Sequence, residues 1–384
     1  MHGAGSAHRQ LPETRMTKPG LVQGLEPKNI LLLKSHSMGV GDLLRSSAAW
    51  AALKARWPRV QLHFCMLSNH EGYVAQELIG SHHLLSSVHF ITAKSGQPGG
   101  QVQRNLPLNA LISRINLSLG DQPIDLVIDC EMAGIRSSLV ARRVAKQRAA
   151  MSVGIAQFPL RRFFYDISAP SSRAYQKMHG LSKPMDYTER DFVSLAALGI
   201  ERLGAPISLR LSPKGLAWKQ SADPRATAGR KLVVLNIGCG TADALVKRPD
   251  LSDLVECFTA LCERMAIDIH LIGAAFEKDV NVDFAHKLSE CLSGRNLRCE
   301  LHNWAGALSI EESAGLLDCS HLAVSSDSGP YHMAVALGIP TLCWLNFSTP
   351  ASVHLQSNVR CMIRPNQQEF CEAALALINS GSNE

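Results

Sequence analysis

The sequence lacks any long apolar run, and an early apolar stretch, residues 30–33, has only the length of a strand. A helix that crosses a bilayer needs about 20 consecutive, mainly apolar residues, so no membrane-spanning segment is predicted. Residues 1–28 also lack the apolar core and the small-residue cleavage site of a secretory signal peptide. We interpret them as a disordered leader and predict a cytoplasmic protein.

Aromatic residues are scarce at 5% of 384 residues, which leaves few stacking platforms for nucleic acid bases. The formal net charge of +6 suits an anionic ligand or an anionic membrane surface, but over this length it is too small to indicate a nucleic-acid partner. The 11 cysteines form no Cys-x-x-Cys pair. We expect them to be reduced thiols, mostly buried, as in cytosolic proteins.

Signatures of several enzyme classes are missing. Without an Asp-x-Asp motif the chain has no obvious ligands for a metal-held diphosphate, and we predict neither a metal site nor a cofactor. His82, His83 and His89 do not have zinc-site spacing, and we expect them at the surface. No Gly-x-Ser-x-Gly elbow is present, and no Gly-x-Gly-x-x-Gly follows the first apolar run, which disfavours a serine hydrolase and a dinucleotide oxidoreductase.

Short apolar runs that alternate with segments of helical period predict an α/β protein with parallel sheets. The length favours two domains. A segment rich in Pro, Gly, Arg and Ala separates the halves, and a polar excursion at 92–123 has the length of a binding loop or an inert insertion. The predicted strands are 30–34, 60–65, 124–129, 153–155, 231–236, 267–272, 297–301, 321–324 and 341–344. Helices are predicted at 43–57, around 108–119, at about 136–146 and near 367–378. The predicted divisions are a leader (1–28), an N-terminal domain (29–205), a linker (206–230), a C-terminal domain (231–365) and a final helix and tail (366–384), which could pack on either domain.

Residues 324–340 contain the clearest ligand-binding pattern. A buried strand ends at Ser325, Ser328 is a favourable helix N-cap, and Pro330 sits in the first turn, where its missing N–H is not needed. The helix would therefore direct its free amides out of the carboxyl edge of the sheet, where they can hold a phosphate. Gly329 allows close approach, and His332 can donate to a phosphate oxygen. By itself the segment would more often be an ordinary strand-to-helix turn with an N-cap and a packed histidine.

Three further segments have a chemistry that suits a nucleotide or an acceptor. A glycine-rich turn at 235–241 followed by Lys247 suits a pyrophosphate, although a lone lysine is more often a solvated surface residue. Glu277, after the run 267–272, can accept from ribose hydroxyls or simply favour a helix start. Near the N-terminus, Asp42 follows Gly39, Val40 and Gly41, where it could act as a base or as an N-cap.

These segments, together with the run 127–137, occur in the order found in glycosyltransferase family 9, the ADP-heptose:lipopolysaccharide heptosyltransferases, which the chain resembles from about residue 30 to 350. The resemblance implies the GT-B architecture, two facing Rossmann-like domains, and an inverting, metal-independent transfer. It implies heptose transfer from ADP-heptose to the lipopolysaccharide core or a similar surface glycan, with peripheral contact to the anionic inner membrane. The implied site consists of the general base Asp42, a donor set (Gly240, Thr241, Lys247, Glu277, Asp327, Ser328, Gly329 and His332) and an acceptor set (Gly41, Arg136 and Ser137).

Two alternatives remain open at this stage: a nucleotide-sugar epimerase of the same two-domain fold, and a non-enzymatic nucleotide-sugar-binding relative. The family usually reads Met-Gly-Asp or Leu-Gly-Asp where this chain inserts Val40 and Gly41, which lengthens the turn before Asp42. Glu131 is the next candidate for the base. Six basic residues of the N-terminal domain are expected to face or flank the acceptor side near the membrane, or else to form a solvated helix face with scattered salt bridges: Arg142, Arg143, Lys146, Arg148, Arg161 and Arg162.

Overall fold

The computed structural model describes residues 24–35, 39–68, 72–95, 104–202, 205–222, 229–239, 242–354 and 356–380. The first half of the chain forms a six-stranded parallel sheet in the order β3-β2-β1-β6-β7-β8, and β4 and β5 form a separate antiparallel pair. Its strands are β1 (Asn29–Ser35), β2 (Gln61–Ser68), β3 (Ser87–Thr92), β4 (Lys94–Ser95), β5 (Arg104–Asn105), β6 (Leu126–Asp129), β7 (Met151–Ile155) and β8 (Ile167–Ala169). Its helices are α1 (Val40–Arg56), α2 (Val74–Gly80), α3 (Leu108–Leu119), α4 (Ile135–Gln147), α5 (Ser172–Met178) and α6 (Glu189–Leu195).

The second half forms another six-stranded parallel sheet, in the order β11-β10-β9-β12-β13-β14. Its strands are β9 (Lys231–Asn236), β10 (Ile267–Leu271), β11 (Leu301–Asn303), β12 (Leu322–Ser326), β13 (Thr341–Leu345) and β14 (Val359–Ile363). Its helices are α7 (Pro213–Ala222), α8 (Leu251–Arg264), α9 (Lys278–Ser293), α10 (Ile310–Asp318), α11 (Gly329–Ala336) and α12 (Gln367–Ser380).

Both sheets have the same strand order, which is that of the doubly wound Rossmann fold. In the first sheet, β2 and β3 are added on one side of β1, and β6, β7 and β8 are added on its other side. The second sheet repeats this order around β9, with β10 and β11 on one side and β12, β13 and β14 on the other. Ligands bind in such folds at this point of reversal, outside the carboxyl ends of the central strands. The prediction of two Rossmann-like domains with parallel sheets is confirmed.

The strands form where the sequence is almost continuously apolar, as expected for parallel strands covered on both faces. Residues 30–33 of β1 and residues 232–235 of β9 are fully or nearly fully buried. Helix starts follow capping chemistry: Asp250 accepts from the amides of Ser252 and Asp253 at α8, and Ser309 and Glu312 form a capping box at α10.

Some predicted elements lie elsewhere in the structure. The strand expected at 297–301 runs instead over Leu301–Asn303, and β3 and β14 were not predicted. These edge strands mix polar with apolar residues, so their apolar signal is weak. The expectation of surface histidines is wrong for His82 and His89, which are buried: His82 bonds to the Ser208 carbonyl oxygen, and His89 bonds to two serine hydroxyls.

The two halves pack directly against each other. One cluster of buried apolar residues includes Leu32 of β1 as well as Val234 of β9. The predicted linker contains α7, which packs on α10 so closely that a methyl group added at Gly315 would lie 2.6 Å from the Gly215 carbonyl oxygen. The Leu209 amide donates to the Ala336 carbonyl, which attaches the linker to α11.

The last helix, α12, packs on the second sheet. Phe370 is fully buried, with its ring centroid 5.3 Å from that of Phe258 and 6.0 Å from that of Trp344. Cys371 is also buried in this cluster. No helix in the described part of the chain is long and apolar enough to cross a membrane.

We expect Phe370→Ala to lower the free energy of unfolding of the second domain by about 3 to 5 kcal/mol, because it leaves a cavity between α8, α12 and the sheet. Urea unfolding followed by tryptophan fluorescence measures the change, since Trp344 lies beside the site. Gln368→Ala, at an exposed position of the same helix, is the control and should change the free energy by less than about 0.5 kcal/mol. Equal effects of the two substitutions would contradict the packing of α12.

Candidate active site between the two sheets

The first turns of α1 and α11 touch across the boundary between the two halves. A methyl group added at Gly41 would lie 2.0 Å from Cδ2 of His332, and one added at Gly329 would lie 3.3 Å from Cβ of Val40. Both helices follow central strands of their sheets, so this contact joins the two points where the strand order reverses. Gly41 is required for the approach because a methyl group there would overlap the His332 ring, whereas a methyl group at Gly329 would need only a small shift of Val40.

Asp42 lies in the first turn of α1, directly after Gly41. The helix begins at Val40 with Gly39 as its N-cap, so Asp42 does not cap it, and the residues that lengthen the family turn are helical. Its position beside the contact of Gly41 with His332 places the acidic residue next to the predicted donor motif, as a base that acts between two substrates requires. Its catalytic role remains a prediction.

Three predicted donor residues come together at the end of β12. The Lys247 ammonium lies 2.9 Å from Oδ2 of Asp327, and Nε2 of His332 lies 3.7 Å from Oδ1 of the same carboxylate. Lys247 arrives in a short 3₁₀ turn that follows β9, whereas Asp327 and His332 flank the start of α11. The lysine side chain is 35% exposed and the aspartate 6%, so the ammonium is accessible to a ligand from the cleft.

Ser328 is the N-cap of α11 by backbone position, but its side chain does not make the expected capping bond. Its hydroxyl instead donates to Oδ1 of Asn236, 2.8 Å away at the end of β9. The hydroxyl therefore does not cap the first amides of the helix, which are groups of the kind that an anion can accept from. Asn236 was not among the predicted residues, and its place at a strand end was the only signal for it.

Glu277 is buried at the carboxyl end of β10, where the Ala274 amide donates to its Oε2 at 2.7 Å. The carboxylate fills the space above Gly238, because a methyl group added there would lie 1.5 Å from Oε1. The predicted glycine-rich turn thus makes room for a carboxylate beside β9. Gly240 and Thr241, the other predicted donor residues of this turn, lie outside the described residues.

Two residues that sequence reasoning missed affect His332, one by contact and one by its charge. Nδ1 of His332 lies 2.9 Å from Nε2 of the buried His354. Arg45 of α1 lies nearby, donating to Asp186, Thr188 and the Ser352 carbonyl oxygen. Burial, with the Arg45 charge as the next cause, lowers the pKa of His332 well below its usual range, so the imidazole is neutral and one ring nitrogen carries a hydrogen.

The predicted acceptor residues Arg136 and Ser137 lie at the start of α4, beyond the carboxyl end of β6. The Arg136 guanidinium donates to the Leu106 carbonyl, and the Ser137 hydroxyl accepts from Arg161 at 3.1 Å. Arg161 is fully buried, 3.2 Å from Asp129. Arg161 therefore faces neither a membrane nor solvent, because its charge is taken up by an internal ion pair beside the start of α4.

Glu131, the second candidate for the base, lies at the same edge. Its Oε1 accepts from the Ser35 amide at 2.7 Å, so the carboxylate bridges the ends of β6 and β1. Among the described residues, no group of three or more His, Cys, Asp or Glu side chains is arranged to hold a metal ion.

A family model for glycosyltransferase family 9 (heptosyltransferase) matches residues 112–371, which is more than half of the chain. The chain belongs to this family. The protein is therefore a glycosyltransferase, as the sequence motifs predicted. The matched region includes every described donor residue named above but not Gly41 or Asp42. A search of curated protein sequences finds no match.

Solved structures of this glycosyltransferase fold align over nearly the whole chain. A family 9 glycosyltransferase from Veillonella parvula has a TM-score of 0.66 at 14% identity, covering 93% of this chain and 98% of the other. E. coli ADP-heptose lps heptosyltransferase II has a TM-score of 0.62 at 16% identity, covering 91% and 99%. E. coli heptosyltransferase WaaC with ADP-2-deoxy-2-fluoro heptose has a TM-score of 0.57 at 18% identity, covering 92% and 99%. At these identities the comparisons establish the two-domain GT-B fold.

The buried histidines predict loss of stability in acid. Burial lowers the pKa of His354 to about 2 and the pKa values of His82 and His270 to about 4, whereas these residues in the unfolded chain titrate near pH 6.5. Below about pH 6.5 the unfolded chain binds more protons, so the free energy of unfolding should fall by up to about 1.4 kcal/mol per pH unit for each histidine. Urea unfolding at a series of pH values measures this slope.

His354→Gln should make the slope between pH 6.5 and 5 shallower, because one group that the unfolded chain protonates is removed. His286→Gln is the matched control, since its side chain is 72% exposed. A slope as steep in His354→Gln as in the parent would contradict the neutral state of the His332–His354 pair.

Proposed function

We propose that this glycosyltransferase moves heptose from ADP-heptose to the inner core of lipopolysaccharide, or to a similar surface glycan, at the cytoplasmic face of the inner membrane. The observation that carries the proposal is the contact between the first turn of α1, which contains Asp42, and the first turn of α11, which contains the donor motif. An acid on one domain and a diphosphate cradle on the other are thereby held side by side. Such an arrangement suits transfer between two substrates.

The donor diphosphate would lie against the amides at Ser328 and Gly329. Lys247 would neutralise charge from the side of β9, and the neutral His332 would donate one hydrogen bond. Glu277, at the neighbouring strand end, would accept from the ribose hydroxyls. Support for this donor comes from the structural relative WaaC of E. coli, which has been solved with ADP and with ADP-2-deoxy-2-fluoro heptose.

In the proposed reaction the Asp42 carboxylate takes the proton from an acceptor hydroxyl while that oxygen forms a bond to the anomeric carbon. The bond between this carbon and the diphosphate oxygen breaks, and the electron pair leaves with the nucleoside diphosphate. Lys247 and the α11 amides stabilise the negative charge that develops on the leaving oxygen. Attack from the face opposite the leaving group inverts the anomeric centre, and no metal ion takes part.

The acceptor would approach along the N-terminal sheet, past Gly41 and the start of α4. Arg136 and Ser137 are placed there, although each is already engaged with a protein partner, so they would contact the acceptor through their remaining hydrogen-bonding capacity. An acceptor anchored in a lipid layer requires the enzyme to work at the membrane surface. Peripheral contact with the anionic inner membrane is therefore part of the proposal.

Lys247→Ala should weaken ADP binding by roughly 1.5 to 3 kcal/mol, the scale of a hydrogen bond to a charged group, and should weaken adenosine binding far less. Isothermal titration with both ligands separates the diphosphate from the nucleoside contribution. Lys219→Ala is a matched control, because Lys219 also pairs with an aspartate, Asp318, but lies on α7 away from the cleft. If Lys247→Ala and the control bound ADP equally well, the diphosphate would lie elsewhere.

Asp42→Ala should lower the turnover of ADP-heptose on a core acceptor by about 10² to 10⁴, because a lost general base costs this much in rate, while ADP affinity stays nearly unchanged. Asp253→Ala removes a first-turn acid from α8 and controls for effects on the helix dipole. Near-normal turnover of Asp42→Ala at saturating substrates would assign the base to another group, and Glu131→Gln would then be measured in the same assay.

A further inference from the structure

The chain from residue 132 to 165 carries seven basic residues and no acidic one. It includes α4, β7 and the crossover to β8, where a short 3₁₀ turn (Arg161–Phe164) replaces the usual helix. The charge is not neutralised locally: Arg142 donates to the Phe163 carbonyl, and Arg143 to the side-chain oxygen of Asn109. Arg161 differs, since it pairs with the buried Asp129.

Two large apolar side chains stand exposed in this basic region. Leu160 is 67% exposed and Phe163 is 60% exposed. Side chains three residues apart in a 3₁₀ turn lie on the same face, so the two project together. The Arg162 guanidinium lies 4.7 Å from the centre of the Phe163 ring. Leu160 and Phe163 thus form an exposed apolar tip with a cation beside it.

The turn that presents this tip is fixed from below. The Arg161 side chain donates to the backbone carbonyls of Met132, Glu131 and Ile155, at 2.8 to 3.2 Å, as well as to Asp129. Tyr165, the residue that follows the turn, packs over Gly154, where an added methyl group would lie 2.2 Å from its ring. Arg161 and Tyr165 thus face inward, whereas Leu160, Arg162 and Phe163 are exposed.

The position of the turn relates it to the acceptor side of the site. Ile155 is the last residue of β7, and Glu131 follows the end of β6, so both lie at the carboxyl edge of the first sheet. Arg161 donates to the carbonyl oxygens of both residues and so attaches the turn to that edge. The Arg161 bond to Ser137 joins it to the start of α4, where the acceptor would pass. The exposed tip is therefore on the same domain and the same edge as the proposed acceptor path.

We propose that Leu160 and Phe163, flanked by Arg142, Arg143 and Arg162, dock this enzyme on an anionic lipid bilayer. The apolar tip would enter the headgroup region, and the arginines would contact lipid phosphates. The combination of apolar and cationic groups favours a bilayer over a free anion, because a dissolved phosphate has no apolar part that Leu160 or Phe163 could contact. This surface rests on the proposed use of a lipid-anchored acceptor and specifies how the enzyme reaches it.

Co-sedimentation of the full-length protein with vesicles tests the surface directly. The parent should bind phosphatidylcholine vesicles that contain phosphatidylglycerol much more strongly than phosphatidylcholine alone, and less strongly as salt is raised. The double variant Leu160→Ser and Phe163→Ser should lose about tenfold in partitioning, since two exposed apolar side chains no longer enter the interface. Arg142→Gln and Arg162→Gln should each lose about fivefold at low salt.

Leu117→Ser is the matched control, because Leu117 is 84% exposed and lies near the end of α3, at the opposite edge of the sheet. It should partition like the parent. The proposal is overturned if the parent does not bind the anionic vesicles, if the double variant binds like the parent, or if Leu117→Ser weakens binding equally.

A second assay separates this proposal from the proposed reaction. Transfer from ADP-heptose to a delipidated, water-soluble core oligosaccharide should be unchanged in the double variant, whereas transfer to the vesicle-borne acceptor should fall with its vesicle binding. Vesicle binding by a parent that transfers to neither acceptor would leave the docking surface intact and refute the reaction. Transfer to the soluble acceptor by a parent that binds no anionic vesicles would support the reaction and refute the docking surface.

Discussion

The contact between the first turns of α1 and α11 is the constraint on which the site depends. Two parallel sheets meet at their carboxyl ends only if the helices that begin there can approach. Gly41 leaves room for the His332 ring, and Gly329 lies against Val40. Asp42 follows one glycine and Ser328 precedes the other. A single close packing therefore brings the acidic side of one domain to the phosphate-binding side of the other.

Three ion pairs differ in how far their charged side chains are exposed, and hence in whether a ligand can reach them. The Arg161–Asp129 pair is completely enclosed, and the Lys34–Asp191 pair is less than a tenth exposed on either side. Each stabilises the first domain only because both partners are present, since one charge alone would be costly to bury. Lys247 is different: its partner Asp327 is buried, but its own side chain is about one third exposed toward the cleft.

Family membership and geometry support different parts of the site. The family match begins at residue 112, so it includes the donor side but not the segment with Asp42. The solved relatives share only 14 to 18% of residues, which establishes the architecture and leaves the role of individual side chains to local geometry. For Asp42 that geometry is the Gly41–His332 contact, and for Glu277 it is the position of its carboxylate over Gly238.

The sequence by itself determined what depends on neighbours along the chain. Apolar runs predicted most strands, β9 to the residue, because strand position follows from local burial. The Ser328–Pro330 pattern predicted the start of α11, although the Ser328 hydroxyl bonds to Asn236 and does not cap the helix. Only the tertiary structure decided that Arg45 and His354 affect His332 and that Arg161 is internal. Their partners lie many residues away in the sequence or on the other domain, and whether an arginine is solvated or enclosed is set by packing that no local pattern encodes.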